Sequence, residues 1–133
     1  IIAIGTMVHP SIAAAKALEA QGAKVTVVDA RFVKPLDEAL ICAVAGHAGT
    51  VITVEEAALS GGFGSACLEA FERGGLIEAG LKVKRLGLPD RYMPHGDANK
   101  QKAELGLDAS GFAASARELL GIAPPLDSKI ARA

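Results

Sequence analysis

The chain alternates between two patterns of apolar residues. Short runs of apolar and β-branched residues at positions 1–4, 24–28, 50–54 and 83–86 predict strands of a sheet that is buried on both faces. Between and after these runs, apolar residues recur every three or four positions, which predicts amphipathic helices. The predicted order is strand, helix, strand, helix, strand, helix, strand and then further helices.

Several helix ends can be predicted from single residues. Pro10 suits the first turn of helix one, and Gly22 is expected to end it. Asp37 is expected to cap the start of helix two, and Gly46 its end. The apolar face of helix one includes Val8, Ile12, Ala15 and Leu18, and that of helix two includes Leu40, Ile41 and Val44. Three further helices are predicted after residues 61–64, over residues 99–104, and from a cap at Asp108 or Ser110.

The alternation of strands and helices predicts an α/β fold. We expect a three-layer α/β/α sandwich around a mostly parallel sheet of four to five strands, occupying residues 1–122. Pro124 and Pro125 stop the last helix, so residues 123–133 are expected to form a loose C-terminal tail. Because a predicted strand begins at Ile1 without a methionine or a polar lead-in, we interpret the chain as part of a longer protein.

Composition narrows the class of protein. Half of the 133 residues are apolar and the formal net charge is -1, so charge gives no reason to expect nucleic acid or a membrane surface as a partner. No apolar run approaches the roughly 20 residues that span a bilayer. Cys42 and Cys67 form no CxxC pair and are predicted to be core residues in a reducing compartment, which indicates the cytoplasm.

Polar residues after the predicted strands are the candidates for chemistry, because open parallel sheets bind ligands at the carboxyl ends of their strands. Glu55 and Glu56 follow the third strand, and a carboxyl group with a raised pKa could serve there in acid–base catalysis. Adjacent residues of a strand point in opposite directions, however. We therefore expect one carboxylate to face solvent and the other to pair with a base or to cap a backbone.

The turn Gly61-Gly62-Phe63-Gly64 precedes a predicted helix, where free backbone N–H groups favour phosphate. Its spacing matches neither the dinucleotide-binding pattern nor the P-loop. Close packing of the helix on the sheet, or a subunit contact, explains the glycines better. A free-standing nucleotide-binding protein is an alternative, and a turn buried against a strand would exclude it.

The histidines His9, His47 and His95 are far apart in the sequence and lack the spacing of metal ligands. His95 shares a proline-containing loop with Asp90 and Arg91, and this loop could bind an anion or dock against a neighbouring domain. The residues alone predict no catalytic, cofactor-binding or metal-binding side chain.

Three blocks of sequence carry a resemblance to a known family. They are residues 28–37 (VDARFVKPLD), residues 53–56 with 61–65 (TVEE and GGFGS), and residues 86–96 with 105–108 (LGLPDRYMPHG and LGLD). The first resembles the signature of the transketolase C-terminal domain. The third is most similar to the 1-deoxy-D-xylulose-5-phosphate synthase family, and the resemblance runs from Ile1 to about Leu120.

The resemblance implies the C-terminal domain of a thiamine-diphosphate-dependent transferase. Members of this family condense pyruvate with glyceraldehyde 3-phosphate, release carbon dioxide and form 1-deoxy-D-xylulose 5-phosphate, which feeds isoprenoid and thiamine biosynthesis. By the resemblance, thiamine diphosphate and Mg²⁺ are bound by the N-terminal and central domains, whose GDG motif is not found in this chain. This chain alone is therefore expected to be inactive and to bind neither.

The resemblance also implies partners, namely the N-terminal and central domains of the same protein and a second subunit in a homodimer. Six residues at predicted strand ends are candidates for these contacts: Glu55, Glu56, Gly61, Gly62, Arg91 and His95. The alternative is the interaction domain of a 2-oxo-acid dehydrogenase beta subunit, or of a transketolase.

Overall fold

The structure, a computed structural model, describes residues 1–124. Within these residues one parallel sheet has the strand order β2-β1-β3-β4. Its strands are β1 (Ile2–Ala3), β2 (Val28–Asp29), β3 (Thr50–Ala58) and β4 (Lys82–Leu88). The predicted parallel α/β fold is confirmed. The domain boundary after residue 122 stays a prediction, and residues 125–133 of the predicted tail lie outside the described residues.

Helices cover both faces of the sheet. In the described residues they are α1 (Val8–Glu19), α2 (Glu38–Ala48), α3 (Phe63–Arg73), α4 (Ala98–Glu104) and α5 (Ala109–Leu120). Leu18 of α1 and Phe112 of α5 are buried in one core, and Ile41 of α2 and Phe71 of α3 in a second core. The two cores lie on opposite sides of the sheet, which gives the predicted three layers. Within residues 1–124, no helix combines the length and the apolar character that a bilayer crossing requires.

Aspartate caps begin the helices as the sequence predicts. The side chain of Asp37 accepts a hydrogen bond from the N–H of Leu40 (3.0 Å), and Asp108 accepts one from the N–H of Gly111 (2.7 Å). The alternative cap Ser110 instead donates to Asp108 (2.9 Å). These side chains satisfy N–H groups that have no partner within the first helical turn.

One predicted helix end is wrong. α2 continues past Gly46 to Ala48, and it is capped by Gly49, whose φ of 68° is the left-handed conformation that a C-terminal glycine supplies. α1 begins at Val8, directly after a 3₁₀ turn (Gly5–Met7), and its last helical residue is Glu19. Gly22, with a φ of 85°, closes this end as predicted, because the N–H of Ala23 donates to the carbonyl oxygen of Leu18 (3.2 Å). The buried face of α1 also differs, since Ile12 is 39% exposed.

All four strands differ from their predicted lengths: β1 is shorter at both ends and β4 is longer at both ends than predicted. β2 is predicted over residues 24–28, but only Val28–Asp29 is a strand, because β2 lies at the sheet edge and its neighbour β1 pairs with it only through Ile2 and Ala3. β3 continues past residue 54 because Ala58 still pairs with Leu88 of β4, beyond a register shift. Glu55 and Glu56 therefore lie within β3 and not after it.

Candidate functional site

Glu55 is a buried carboxylate at the carboxyl end of the sheet. The residue is 1% exposed. Its two carboxylate oxygens accept hydrogen bonds from the backbone N–H groups of Phe63 (2.6 Å) and Gly64 (2.8 Å). These donors belong to the first turn of α3, where the helix dipole also favours a negative charge. Glu55, which lies in β3, therefore caps the start of α3. This agrees with the expectation that one of the two carboxylates pairs with a base or caps a backbone.

Glycines make room for this carboxylate. A Cβ atom at Gly62 would collide with the carboxylate of Glu55, and one at Gly64 would lie 3.1 Å from its Oε1. At Gly87 of β4, a Cβ atom would lie 3.0 Å from Cγ of Glu55. The glycines after β3 thus allow α3 to pack closely on β3 and β4.

The same geometry excludes the nucleotide-binding alternative. Phe63 and Gly64 are buried against β3, and their N–H groups are bonded to Glu55. A phosphate at this helix end would lack those donors and would meet a buried negative charge.

A second network fixes the turn between β3 and α3. Oγ of Ser65 donates to the carbonyl oxygen of Leu59 (3.0 Å) and accepts from the N–H of Gly61 (3.1 Å). Nη1 of Arg85, on β4, donates to Oγ of Ser65 (2.8 Å) and to the carbonyl oxygen of Leu59 (3.0 Å). The turn is therefore tied to β4, with Gly61 exposed at its tip.

Glu56 faces solvent, opposite to Glu55. Oγ1 of Thr6 donates a hydrogen bond to Oε2 of Glu56 (2.5 Å), and Nζ of Lys102 lies 3.5 Å from Oε1. The hydrogen bond from Thr6 and, to a smaller extent, the charge of Lys102 lower the pKa of Glu56 below the usual value of a glutamate. A lowered pKa leaves no proton to donate at neutral pH, so this geometry does not support the acid–base interpretation.

The loop between β4 and α4 is exposed along most of its length. Arg91 and His95 are both exposed, and Tyr92 is 90% exposed. Arg91 and His95 line an open groove of about 340 Å³ beside α4. Nε2 of Gln101 donates to the carbonyl oxygen of Pro94 (2.5 Å), which ties the loop to α4.

The six predicted contact residues share one end of the molecule. Glu55, Glu56, Gly61 and Gly62 belong to the end of β3 and its following turn, and Arg91 and His95 to the loop after the neighbouring β4. Of the six, Glu55 is buried, Gly62 is half-buried and the other four are exposed. The contacts themselves stay a prediction.

The loop after β2 has a geometry that the sequence analysis missed. Arg31 has a φ of 58°, a left-handed conformation that is uncommon for a residue other than glycine. Its N–H donates to Oδ1 of Asp29 (3.0 Å), the local hydrogen bond that an aspartate favours in a turn. Phe32 is left 63% exposed and Val33 45% exposed. Asp29, two residues before Arg31, is the sequence feature that could have predicted this turn.

The described residues do not offer the ligands of a Mg²⁺ site. Among residues 1–124, no three His, Cys, Asp or Glu side chains lie together as metal ligands. Burial raises the pKa of the Cys67 thiol to about 12 and also raises that of Cys42. Neither free thiol is therefore an ionised nucleophile at neutral pH. We assign no catalytic step to these residues.

Comparison with known proteins identifies relatives over nearly the whole chain. A sequence model of the transketolase C-terminal domain matches residues 1–111. A 1-deoxy-D-xylulose-5-phosphate synthase of Anaeromyxobacter dehalogenans (strain 2CP-C) is 60% identical over 121 residues, which cover 91% of this chain and 19% of that protein. The protein of the same name in Magnetococcus marinus is 53% identical over 121 residues, with the same coverage. The chain thus spans about a fifth of the length of these curated relatives.

A solved structure has the same fold. A split-gene transketolase, described as an inactive beta4 tetramer, superposes with a TM-score of 0.77 at 32% identity, over 91% of this chain and 38% of that chain. The family match over residues 1–111 agrees with this fold. The chain therefore belongs to the transketolase C-terminal domain family.

Proposed function

We propose that this chain is the C-terminal assembly domain of a 1-deoxy-D-xylulose-5-phosphate synthase. The parent enzyme, a transketolase-type transferase of the bacterial cytoplasm, converts pyruvate and glyceraldehyde 3-phosphate to 1-deoxy-D-xylulose 5-phosphate and carbon dioxide. Thiamine diphosphate and Mg²⁺ are held by its N-terminal and central domains. This domain packs against those domains, enlarges the interface of a homodimer and carries out no chemical step itself.

The observation that carries the proposal is the 60% identity to a synthase of that name over only 19% of its length. Such identity supports a shared role for this fifth of the protein. The buried position of Glu55 and the lowered pKa of Glu56 support a role without catalysis. These are the two carboxylates that the sequence offered for acid–base catalysis, and both serve the fold instead. The solved transketolase chain, described as an inactive tetramer, is a further precedent for assembly without activity.

The contact surface is proposed at the carboxyl end of β3 and β4. Glu56, Ala57 and Ala58 are exposed at the end of β3, and Gly61 is exposed after it. Small side chains allow another backbone to approach closely, and Arg91 adds a cation and a planar donor at the same end. Glu55 has no accessible surface for a partner, so it acts by fixing the turn that presents Gly61.

The proposal is tested in the full-length protein with Arg91→Asp, matched by Lys16→Asp on the exposed side of α1. Arg91→Asp is expected to weaken the dimer at least tenfold in sedimentation equilibrium and to lower synthase activity in parallel. Lys16→Asp is expected to change neither. A dimer constant and an activity that both stay unchanged in Arg91→Asp would contradict the proposed surface, and a full-length protein without synthase activity would contradict the assignment.

A further inference from the structure

The loop after β2 forms a further exposed surface at the carboxyl end of the sheet. A groove of about 280 Å³ opens there, between the loop and the start of α2. Its apolar walls include Phe32 of the loop and Leu40 of α2, which are 63% and 45% exposed, and the buried Ile41 also lines it. Val33, next to Phe32, is exposed as well. Large apolar side chains are thus gathered at one place, which is typical of a contact with another protein.

Hydrogen bonds at both ends hold this loop in its shape. The N–H of Ala30 donates to a carbonyl oxygen of β1 (2.9 Å), and the N–H of Arg31 donates to Oδ1 of Asp29 (3.0 Å). At the other end, Asp37 caps α2. The left-handed conformation of Arg31 costs free energy, and such conformations are found where the surrounding structure enforces them, often at binding sites. Because the loop is already ordered, little conformational entropy is lost when a partner binds it.

The surface carries charges of both signs. The guanidinium of Arg31 and the carboxylates of Asp29 and Asp37 line the same groove. Among residues 1–124, none of these three side chains takes part in an ion pair. Each carboxylate uses Oδ1 for a backbone N–H, so Oδ2 is available to a donor from outside. A cation and two anions around an apolar centre make this surface complementary to a second copy of itself, and not to a partner of one charge.

We propose that two subunits meet through this surface across a two-fold axis. A two-fold contact is reciprocal, because each residue that one copy presents meets the same partner residue in the other copy. Phe32 of each copy packs against Leu40 of the other, and Arg31 of each copy pairs with Asp37 of the other. The contact covers the apolar centre and pairs the charges at the same time. This inference rests on the proposed function, since it assigns residues to the interface of the proposed homodimer.

This surface is continuous with the contact surface proposed above. Both lie at the carboxyl end of the sheet, and in the strand order β2-β1-β3-β4 they occupy its two edges. Three strand spacings of about 4.8 Å place the ends of β2 and β4 about 14 Å apart. An interface of ordinary size, about 800 Å² on each partner, is wide enough to include both. The loop after β2 then lies next to the axis, and Arg91 lies farther from it.

Cross-linking in the full-length protein tests whether a second copy covers the surface. Phe32→Cys, treated with a short bismaleimide, is expected to give a covalent dimer, because residues next to a two-fold axis meet their own copies. The control is Ile12→Cys, since Ile12 is also a large, exposed apolar residue but lies on α1, on the opposite face of the sheet. It is expected to give no more covalent dimer than the unmodified protein. Equal yields from the two variants, or a link from Phe32→Cys only within its own chain, would overturn the proposal.

Two conservative substitutions in the full-length protein test the charge pair. Asparagine tolerates the left-handed conformation in Arg31→Asn and still caps the helix in Asp37→Asn, so each variant removes only a charge. Each is expected to weaken the dimer about tenfold in sedimentation equilibrium, and the double variant also by about tenfold, because both changes remove the same pair. A dimer constant that neither single variant changes, or a loss of about a hundredfold in the double variant, would overturn the pairing.

The failure of this inference and the failure of the proposed function give different results. An active, dimeric synthase that Phe32→Cys does not cross-link would overturn the inference and leave the proposed function standing. A full-length protein without synthase activity would contradict the proposed function, whatever its cross-links show.

Discussion

Glu55 and Glu56 are adjacent residues in opposite environments, and the same substitution at both positions measures the difference. In Glu55→Gln, an amide NH₂ replaces one acceptor and faces the N–H of Phe63 or Gly64. The free energy of unfolding is expected to fall by about 2 kcal/mol or more. Glu56→Gln removes an exposed charge pair and is expected to cost about 0.5 kcal/mol. Urea unfolding at pH 7 measures both, and equal losses would contradict the capping role of Glu55.

The buried amine of Ile1 makes the stability of the 133-residue chain depend on pH. Burial lowers its folded-state pKa from 8.0 to about 6, so between these values the unfolded chain binds more protons. Stability should therefore rise from pH 6 to pH 8, by about 1–2 kcal/mol after allowance for solvent screening. Glu19, Lys24 and His47 line a groove of about 520 Å³ beside Ile1. The control is therefore the N-acetylated chain, in which these three side chains are unchanged and only the amine is removed. Acetylation should remove the rise, and identical pH profiles would contradict the account.

At the scale of residues, the sequence predicted how neighbouring side chains are arranged, but not which of them is buried. The period of a strand required Glu55 and Glu56 to point apart, and they do. It did not say which one faces inward, because that depends on the glycines of α3 and β4 that leave room for a carboxylate. The left-handed φ of Arg31 was not predicted, although Asp29, whose side chain accepts a hydrogen bond from the N–H of Arg31, was a local signal for such a turn.

At the scale of elements, the end of α2 gives a paired test. Gly46 lies inside the helix, where an added Cβ would make an ordinary contact of 3.4 Å with Leu76. Gly46→Ala is therefore expected to stabilise the chain by about 0.5–1 kcal/mol. Gly49 has a φ of 68°, so Gly49→Ala is expected to destabilise it by about 1 kcal/mol. Unfolding midpoints measure both, and the opposite order would restore Gly46 as the helix end.

The elements themselves were predictable because their signals are local. Asp37 and Asp108 start helices through bonds to residues three positions later, and the sequence predicted both caps. The lengths of β2 and β3 were not predictable, because a strand ends where its neighbour stops pairing. β3 continues to Ala58 through its partner Leu88, which lies 30 residues further along the chain.

At the scale of the whole molecule, the three-layer fold followed from periodicity alone, because strands buried on both faces need helices on both sides. The family was identified from three motifs and agrees with the match over residues 1–111. The function of the exposed surface at the carboxyl end of the sheet could not be predicted in this way. Exposed residues such as Arg91 and His95 fit many partners, and no local pattern says which one binds.

We propose that this domain holds the enzyme together without binding its cofactor. Isothermal titration of the purified 133-residue chain with thiamine diphosphate and Mg²⁺ tests this proposal, with the full-length protein as the positive control. We predict no saturable heat for the chain and saturable binding for the full-length protein. Stoichiometric binding to the chain alone, with a dissociation constant on the order of 1 μM, would contradict the account.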